Sequence, residues 1–260
     1  MDLKDVINKK HISYTRAEDV FQICKPLRDA FSVASFHYIR MYKDGSLLIL
    51  GSNGETSRSF FKNEHSTQGT ILTKGIYLWD EFQSKRFLDE CAREFQVYNG
   101  ITIVNSKQDH TECLSMGFSV KEPSVVGTVL NHLDLIEQFV YYFKDKAENL
   151  IEQAYHERFI LPPSVIGKRL EEKSFEEFRN LIKTNKIHMN AKDKNIILTR
   201  REYEVLLQFA SGKTSKEAAD ALKISNRTVE QHLTNAKNKS DYTLRSQLVE
   251  MLRDNLLVSR

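Results

Sequence analysis

The most regular alternation of apolar and polar positions lies toward the end of the chain, between Leu198 and Leu256. Val205, Leu206 and Phe209 form one stripe at helical spacing, and Ala218, Ala219 and Leu222 form a second. Val229, Leu233 and Ala236 make a third, at i, i+4 and i+7. A helix start precedes each stripe. Thr199 stands three residues before Glu202 and Thr214 three before Glu217, the spacing of a capping box. Ser225 can cap the third helix, with Asn226, Arg227 and Thr228 in its first turn. The outward face of that helix then carries Arg227, Glu230, Gln231, Thr234 and Lys237. The small pair Ala218 and Ala219 lets the second and third helices approach closely across the short turn Lys223-Ile224. Two short helices crossing over such a turn predict a helix-turn-helix. A small helical bundle with a solvated polar face would show the same stripes.

Upstream, the period changes repeatedly. Val20, Phe21, Cys24, Leu27 and Phe31 are spaced as in a helix that Pro26 kinks or restarts. Residues 35–42 alternate with period two, meet Asp44-Gly45 and continue into Leu47-Leu48-Ile49-Leu50, which predicts a hairpin. Residues 51–74 are polar, with a short helix around 57–62, and Gly75 to Trp79 reads as an extended segment. Phe87, Leu88, Cys91 and Phe95 give another helix, and residues 100–104 and 112–118 a second hairpin. The stripe from Val129 through Ile136, Phe143 and Leu150 to Ala154 predicts one long helix. Helices flanking antiparallel hairpins make an α/β/α sandwich with an antiparallel sheet, of the PAS- or GAF-like kind. The whole chain is therefore expected to be α+β, with an all-α helix-turn-helix domain at its C-terminal end. Three parts are expected: 1–160 a sensor-like domain, 161–195 a linker with a charged helix broken from the sensor at Pro162-Pro163, and 196–260 the helix-turn-helix domain. The helix is expected within residues 167–184, carrying Leu170 and Phe175, and residues 185–194 read as a polar stretch.

Composition narrows the function. With 260 residues, 40% hydrophobic and 28% charged, the chain can bury two moderate cores. The net charge of +3 is uneven: residues 192–260 hold 13 Lys and Arg against 9 Asp and Glu, so the positive excess sits with the helix-turn-helix. Cys24, Cys91 and Cys113 are too few and too scattered for a disulfide framework. No apolar run reaches membrane-spanning length and the N-terminus has no signal-like apolar region, so a cytoplasmic protein is expected. His110 and Cys113 fall across a hairpin without a second pair, so no metal site is expected. No phosphate-binding glycine loop or catalytic constellation appears, and neither an enzyme nor a cofactor is expected.

The order of residues adds a resemblance. Leu198-Thr199-x-Arg201-Glu202-x-Glu204-Val205-Leu206, Ala210-x-Gly212, Lys216-Glu217-x-Ala219, Ser225-x-x-Thr228-Val229 and His232 closely resemble the LuxR-type DNA-binding domain over about sixty residues. Glu230 departs from the Lys usual there. The resemblance implies a homodimeric transcription regulator with the helix from Ser225 in the major groove of double-stranded DNA. On that reading Lys213, Thr214, Ser225 and Thr228 hold phosphates. Arg227, Glu230, Gln231 and Thr234 face base edges, flanked by Asn226 and Lys237.

Farther upstream, Gly75 to Trp79 followed by Cys91-Ala92-Arg93-Glu94-Phe95-x-Val97-x-x-Gly100-Ile101-Thr102-Ile103 looks like the autoinducer-binding domain of quorum-sensing LuxR-type regulators, over about residues 16–156. By that resemblance Trp79 and Gly100 match two positions of the ligand-pocket signature. Glu64-His65 stands where the family has Asp-Pro, and Phe60 and Phe61 where it has Trp and Tyr. A small autoinducer-like signal held by Phe60, Phe61, Glu64, Trp79 and Gly100 is the implied ligand. Trp79 as plain core and Glu64 as a solvated charge are the alternatives. A ligand-independent regulator whose first domain dimerises or binds a protein is the second functional reading. A phosphorylation-switched receiver is disfavoured, because the first domain opens on a helix and an antiparallel hairpin.

Overall fold

The computed structural model describes residues 3–65, 74–122, 124–161 and 176–256. The chain divides into two compact units, Met1–Glu172 and Lys173–Arg260. In the first, α1 (Leu3–Ile7), α2 (Ile12–Thr15), α3 (Ala17–Ile23) and α4 (Lys25–Phe31) lead into β1 (Val33–Tyr42) and β2 (Ser46–Gly51). Then come α5 (Gly54–Lys62), β3 (Gly75–Leu78), α6 (Trp79–Phe82), α7 (Lys85–Phe95), β4 (Asn99–Ser106) and β5 (His110–Phe118). The unit closes with α8 (Ser124–Asn131), α9 (Leu133–Lys146), α10 (Glu148–His156) and β6 (Phe159–Ile160).

The six strands form one antiparallel sheet in the order β3-β4-β5-β1-β2-β6. Both expected hairpins are present. At the first, Gly45 takes φ 82, and Asp44 accepts hydrogen bonds from the Ser46 amide and hydroxyl at 2.9 and 2.6 Å. Pro26 starts α4 rather than kinking α3, because its missing amide hydrogen costs nothing in a first turn.

Strand alternation sorts side chains into two cores. Phe36, Tyr38, Leu48, Leu50, Leu114 and Met116 face one way and pack with α3, α4, α9 and α10. Met41, Leu47, Ile49, Val104 and Cys113 face the other and pack with α1, α5, α6 and α7. The sandwich is thus helical on both sides of the sheet.

The expected single helix from Val129 to Ala154 is three helices, with breaks at His132 (ψ 40°) and Ala147 (ψ 12°). The hydrogen bonds Ile136 to His132 and Ile151 to Ala147 carry the helical path through both breaks, and Val129, Ile136, Phe143, Leu150 and Ala154 are all buried. Two small bends keep one apolar stripe against a sheet that twists beneath it.

The second unit holds α11 (Glu176–Leu181), β7 (Lys186–Ala191), β8 (Lys194–Thr199), α12 (Arg200–Ala210), α13 (Ser215–Leu222), α14 (Asn226–Ser240) and α15 (Arg245–Asp254). Pro162-Pro163, Leu170 and Phe175 lie outside the described residues. The stretch 185–194, read as polar linker, contributes to an antiparallel hairpin, with Lys192 and Asp193 both at positive φ in a two-residue turn. Met189, Ala191, Ile196 and Leu198 turn inward from it onto the helices.

Gly100 decides the packing beneath α6. A Cβ there would lie 2.1 Å from the Trp79 ring, too close for any relaxed arrangement. Gly100→Ala is expected to destabilise the first unit by about 1–3 kcal/mol, the usual cost of overpacking a filled core. Urea unfolding followed by Trp79 emission measures it, since Trp79 is the chain's one Trp.

Candidate functional site

In the second unit, α12, α13 and α14 begin as the sequence requires. Thr199 and Thr214 each accept a hydrogen bond from the Glu amide three residues on, and Glu202 and Glu217 reach back to complete both capping boxes. Ser225 caps α14 by accepting from the Thr228 amide at 3.0 Å. The turn between α13 and α14 is made without glycine: Lys223 adopts φ 54 and the Ile224 amide donates back to the Ala219 carbonyl at 3.0 Å. Val229, Leu233 and Ala236 are buried with Val205, Leu206, Phe209, Ala218 and Ala219. With that stripe inward, Asn226, Arg227, Glu230, Gln231 and Thr234 are exposed on α14, and Lys237 is half-buried.

Neighbouring side chains occupy several of these groups. Ser215 Oγ, in the first turn of α13, donates to Glu230 Oε1 at 2.5 Å. Gln231 Nε2 donates to Asn235 Oδ1 at 3.0 Å, and Thr234 Oγ1 to the Glu230 carbonyl at 2.9 Å. Ser225 and Thr228 share a hydroxyl contact of 2.7 Å, and Thr214 Oγ1 donates to Glu217 at 2.8 Å. Lys213 is half-buried, its Nζ 2.6 Å from Gln208 Oε1. Arg227 is exposed at the start of α14, where the amide groups of a helix N-terminus also point outward.

The sequence reading did not anticipate α15, whose Leu248, Met251 and Leu252 are buried in the same core. Their i, i+3, i+4 spacing was the available signal.

In the first unit, a cavity of about 110 Å³ lies over the sheet face that α5, α6 and α7 cover. Its floor follows from register. His37 is opposite Gly51 on β2 and Ser115 on β5, and Ser115 is opposite Thr102 on β4. One cross-strand row therefore carries Gly51, His37, Ser115 and Thr102 on the same face. Beside it the row Ser35, Gly117, Gly100 is made of small residues, and Trp79 lies over the two glycines. On the other side Ile49, Ile39 and Cys113 are apolar.

Polar groups on this floor are tied together. Trp79 Nε1 donates to Thr102 Oγ1 at 3.2 Å, and Thr102 shares a hydroxyl contact of 2.9 Å with Ser115. Thr56 Oγ1 donates its hydrogen to the Asn53 carbonyl at 2.7 Å. The 3.0 Å contact from Thr56 Oγ1 to His37 Nε2 must then be donated by the ring, which leaves His37 Nδ1 as an acceptor. Burial pushes the His37 pKa down to about 4, so the ring is neutral near neutral pH. Ser57 Oγ is buried on the cavity wall with no hydrogen-bond partner among the described residues.

Of the five expected ligand residues, Phe60, Phe61 and Trp79 line the cavity, and Gly100 lies directly under Trp79. Glu64 does not join them. It is exposed, at φ 52 just past the end of α5, with its side chain in solvent. The buried carboxylate of this region is Glu90 of α7, which accepts from Ser59, from Asn63 at 2.8 Å and pairs with His65 at 2.9 Å. Ser35, His37, Thr56, Ser57, Thr102 and Ser115 line the cavity and were not singled out from the sequence. Strand parity was the signal for half of them: Ser35 and His37 share a face with Ile39, and Ser115 with Cys113.

A capped helix, a tight turn and a second helix that buries one stripe and exposes a polar face define a helix-turn-helix DNA-binding protein. The chain belongs to the luxR family of bacterial regulatory proteins, whose description matches residues 196–252. It is 47% identical over 58 residues to the spore germination protein GerE of Bacillus subtilis (strain 168), covering 22% of this chain and 78% of GerE. It is 26% identical over 140 residues to the uncharacterized transcriptional regulatory protein YhcZ of the same organism. That match covers 45% of this chain and 65% of YhcZ, so the chain spans less than two thirds of that relative. A crystal structure of Escherichia coli SdiA aligns over 92% of this chain and 90% of its own, at 17% identity and a TM-score of 0.35, a likeness too low to carry a shared fold.

Glu202 links the capping box to the far end of α14. Burial alone would raise its pKa, but the Lys239 ammonium, 2.7 Å away, and the Thr199 amide outweigh burial and hold it below the ordinary 4.5. A depressed carboxyl contributes stability above its unfolded value, and that contribution is lost as pH falls through the folded value. Lys239→Met is expected to lower the stability of this unit by about 1–3 kcal/mol near neutral pH. Its cost should shrink below pH 4.5, as Glu202 takes up a proton. Thermal unfolding of the full chain on both sides of that pH, read by far-ultraviolet circular dichroism, measures the difference.

Proposed function

We propose that the chain is a homodimeric, sequence-specific DNA-binding regulator of the cytoplasm whose first unit binds a small molecule that controls it. The observation that carries the DNA-binding part is the exposed polar face of α14, set outward by the burial of Val229, Leu233 and Ala236. In this reading α14 enters the major groove. Lys213, Thr214, Ser225, Asn226 and Thr228 meet phosphates at the groove edge, while Arg227, Gln231 and Thr234 reach base edges, with Glu230 and Lys237 beside them. Two copies are needed to read two half-sites one helical turn apart. The outer face of α9 offers apolar surface for such pairing, with Tyr141 67% and Leu135 45% exposed. Control by a small molecule is supported by the cavity beside Trp79 and by the unpartnered Ser57 hydroxyl on its wall. A panel of acyl-lactones and related signals, scored by the thermal midpoint of the full chain, tests that part.

Arg227→Ala should weaken operator binding by about 1–3 kcal/mol while leaving the fold unchanged, because Arg227 makes no inward contact to lose. A salt-matched gel shift measures it, and unchanged affinity removes Arg227 from the interface. Glu230→Lys replaces a charge that repels phosphates by one that attracts them. Affinity for unrelated duplexes should rise and the salt dependence steepen by about one phosphate contact. Binding isotherms across a salt series read the slope. A fall in affinity at every salt concentration would instead assign Glu230 to holding Ser215 and the start of α13 in place.

A further inference from the structure

The chemistry of the cavity wall specifies more than the presence of a ligand. Among the described residues, no Asp, Glu, Lys or Arg lines the cavity, and the imidazole on its floor is neutral. A charged ligand would be buried there without a counter-charge, at a cost that binding could not recover. The carboxylate that a ligand amide would require is also missing: Glu64 points to solvent, and Glu90 is occupied by Ser59, Asn63 and His65.

Besides the half-buried Gln83, the wall offers one fully buried hydrogen-bonding corner. Ser57 Oγ is 3% exposed as a residue and unpartnered, able to donate and to accept. Beside it lies the Cδ2–Nε2 edge of the neutral His37 ring, whose Nε2 hydrogen is taken up by Thr56. The absent side chain of Gly51 keeps that corner open, because a Cβ there would sit 2.7 Å from the His37 ring and 3.2 Å from Ser57 Oγ. A ligand hydroxyl can either donate to Ser57 Oγ or accept from it, whereas a ketone or ether can only accept. Phe60, Phe82, Phe87 and Trp79 make much of the remaining wall aromatic. Such rings favour edge or offset contact with another ring. The volume of about 110 Å³ is of the order of the engineered cavity of about 150 Å³ that takes benzene, and too small for a long acyl chain without rearrangement.

We propose that the cavity takes an uncharged, phenol-class ligand: a single aromatic ring whose hydroxyl bonds to Ser57 Oγ. This rests on the proposal that the first unit binds a controlling small molecule, and it names the chemical class. Trp79 provides the readout, being the chain's one Trp and part of the cavity wall.

The test titrates the full chain with 4-methylphenol, resorcinol, toluene, benzoate and N-butanoyl homoserine lactone, following Trp79 emission excited at its red edge and the thermal midpoint. The phenols should change emission saturably and raise the midpoint. Toluene should bind at least about fivefold more weakly than 4-methylphenol, the equivalent of one neutral hydrogen bond, and benzoate should give no response. Ser57→Ala removes a hydroxyl with no hydrogen-bond partner among the described residues, so the fold should persist while the preference for 4-methylphenol over toluene shrinks. Equal binding of toluene and 4-methylphenol to the unsubstituted chain overturns the proposal, as does a preference that Ser57→Ala leaves intact. A response to the lactone or to benzoate with none to the phenols overturns the phenol class and leaves small-molecule control standing. Silence from every probe, in emission and in midpoint, overturns both.

Discussion

A sheet covered on both faces has no water to satisfy what its strands point inward, so every polar side chain on it must find a protein partner or mark a space for something else. The two faces of this sheet answer that constraint differently. Beneath α9 the polar cluster around Glu112 is closed off by its neighbours. Glu112 accepts from Tyr38 and, at 2.7 Å, from Lys144 of α9, while Arg40 Nε donates to the Tyr38 hydroxyl at 2.7 Å. Burial would raise the Glu112 carboxyl, but these donors hold it below its ordinary value, and the network works as a bolt between helix and sheet. Beneath α5 and α6, the row His37, Ser115, Thr102 is satisfied only in part, and the hydroxyl above it, Ser57, is left over. At Glu112 paired polarity coincides with solid packing, and at Ser57 unpaired polarity coincides with the cavity; Tyr42 Oη and Arg28 Nε, also buried without a hydrogen-bond partner among the described residues, lie away from it.

In the second unit the equivalent constraint is the direction in which α14 faces. Helix rotation is set by the stripe Val229, Leu233, Ala236, and rotating it by one residue would bury Glu230 and expose Leu233. Its two ends are tied separately. Ser225 and the Lys223 turn fix the start against α13, and Lys239 fixes the end to the buried Glu202, which also caps α12. α12 and α14 thus share one carboxylate, all three helices share one apolar patch, and the residues left outside are those that neither can use. The polar face of α14 is a residue of the packing as much as a choice about DNA, which is why the sequence stripe located it.

Legibility followed the strength of local signals. Capping boxes, the Asp44-Gly45 turn and the stripes of α12 to α14 are short-range patterns with one physical meaning each, and all are in the structure. The β7–β8 hairpin was missed because Lys192-Asp193 makes its turn at positive φ without a glycine, and the alternation of Met189 and Ala191 with polar neighbours was too short to stand alone. The breaks in the long stripe at His132 and Ala147 leave no mark on apolar spacing. In the cavity, Phe60, Phe61 and Trp79 were identified by position, but the polar floor was not. His37, Ser115 and Thr102 lie on three strands and meet only through register, which no window of sequence contains. Glu64 was singled out by its place in the order of residues, and the end of α5 turns its side chain to solvent.

Trp79 shows why those two kinds of residue carry different information. Plain core and pocket wall were alternatives in the sequence, yet the structure makes Trp79 both: it is 5% exposed, donates its one hydrogen bond to Thr102, and still lines the cavity. One side of its ring lies on Gly100 and Gly117, where any side chain would collide with it. A large flat ring over two glycines is a packing unit, and each member requires the others whether or not anything binds beside them. Matching Trp79 and Gly100 to a family signature therefore locates the place but says little about its occupant. The occupant is constrained by the groups free to vary without disturbing that packing, and among those the buried Ser57 hydroxyl holds hydrogen-bonding capacity that no described residue uses.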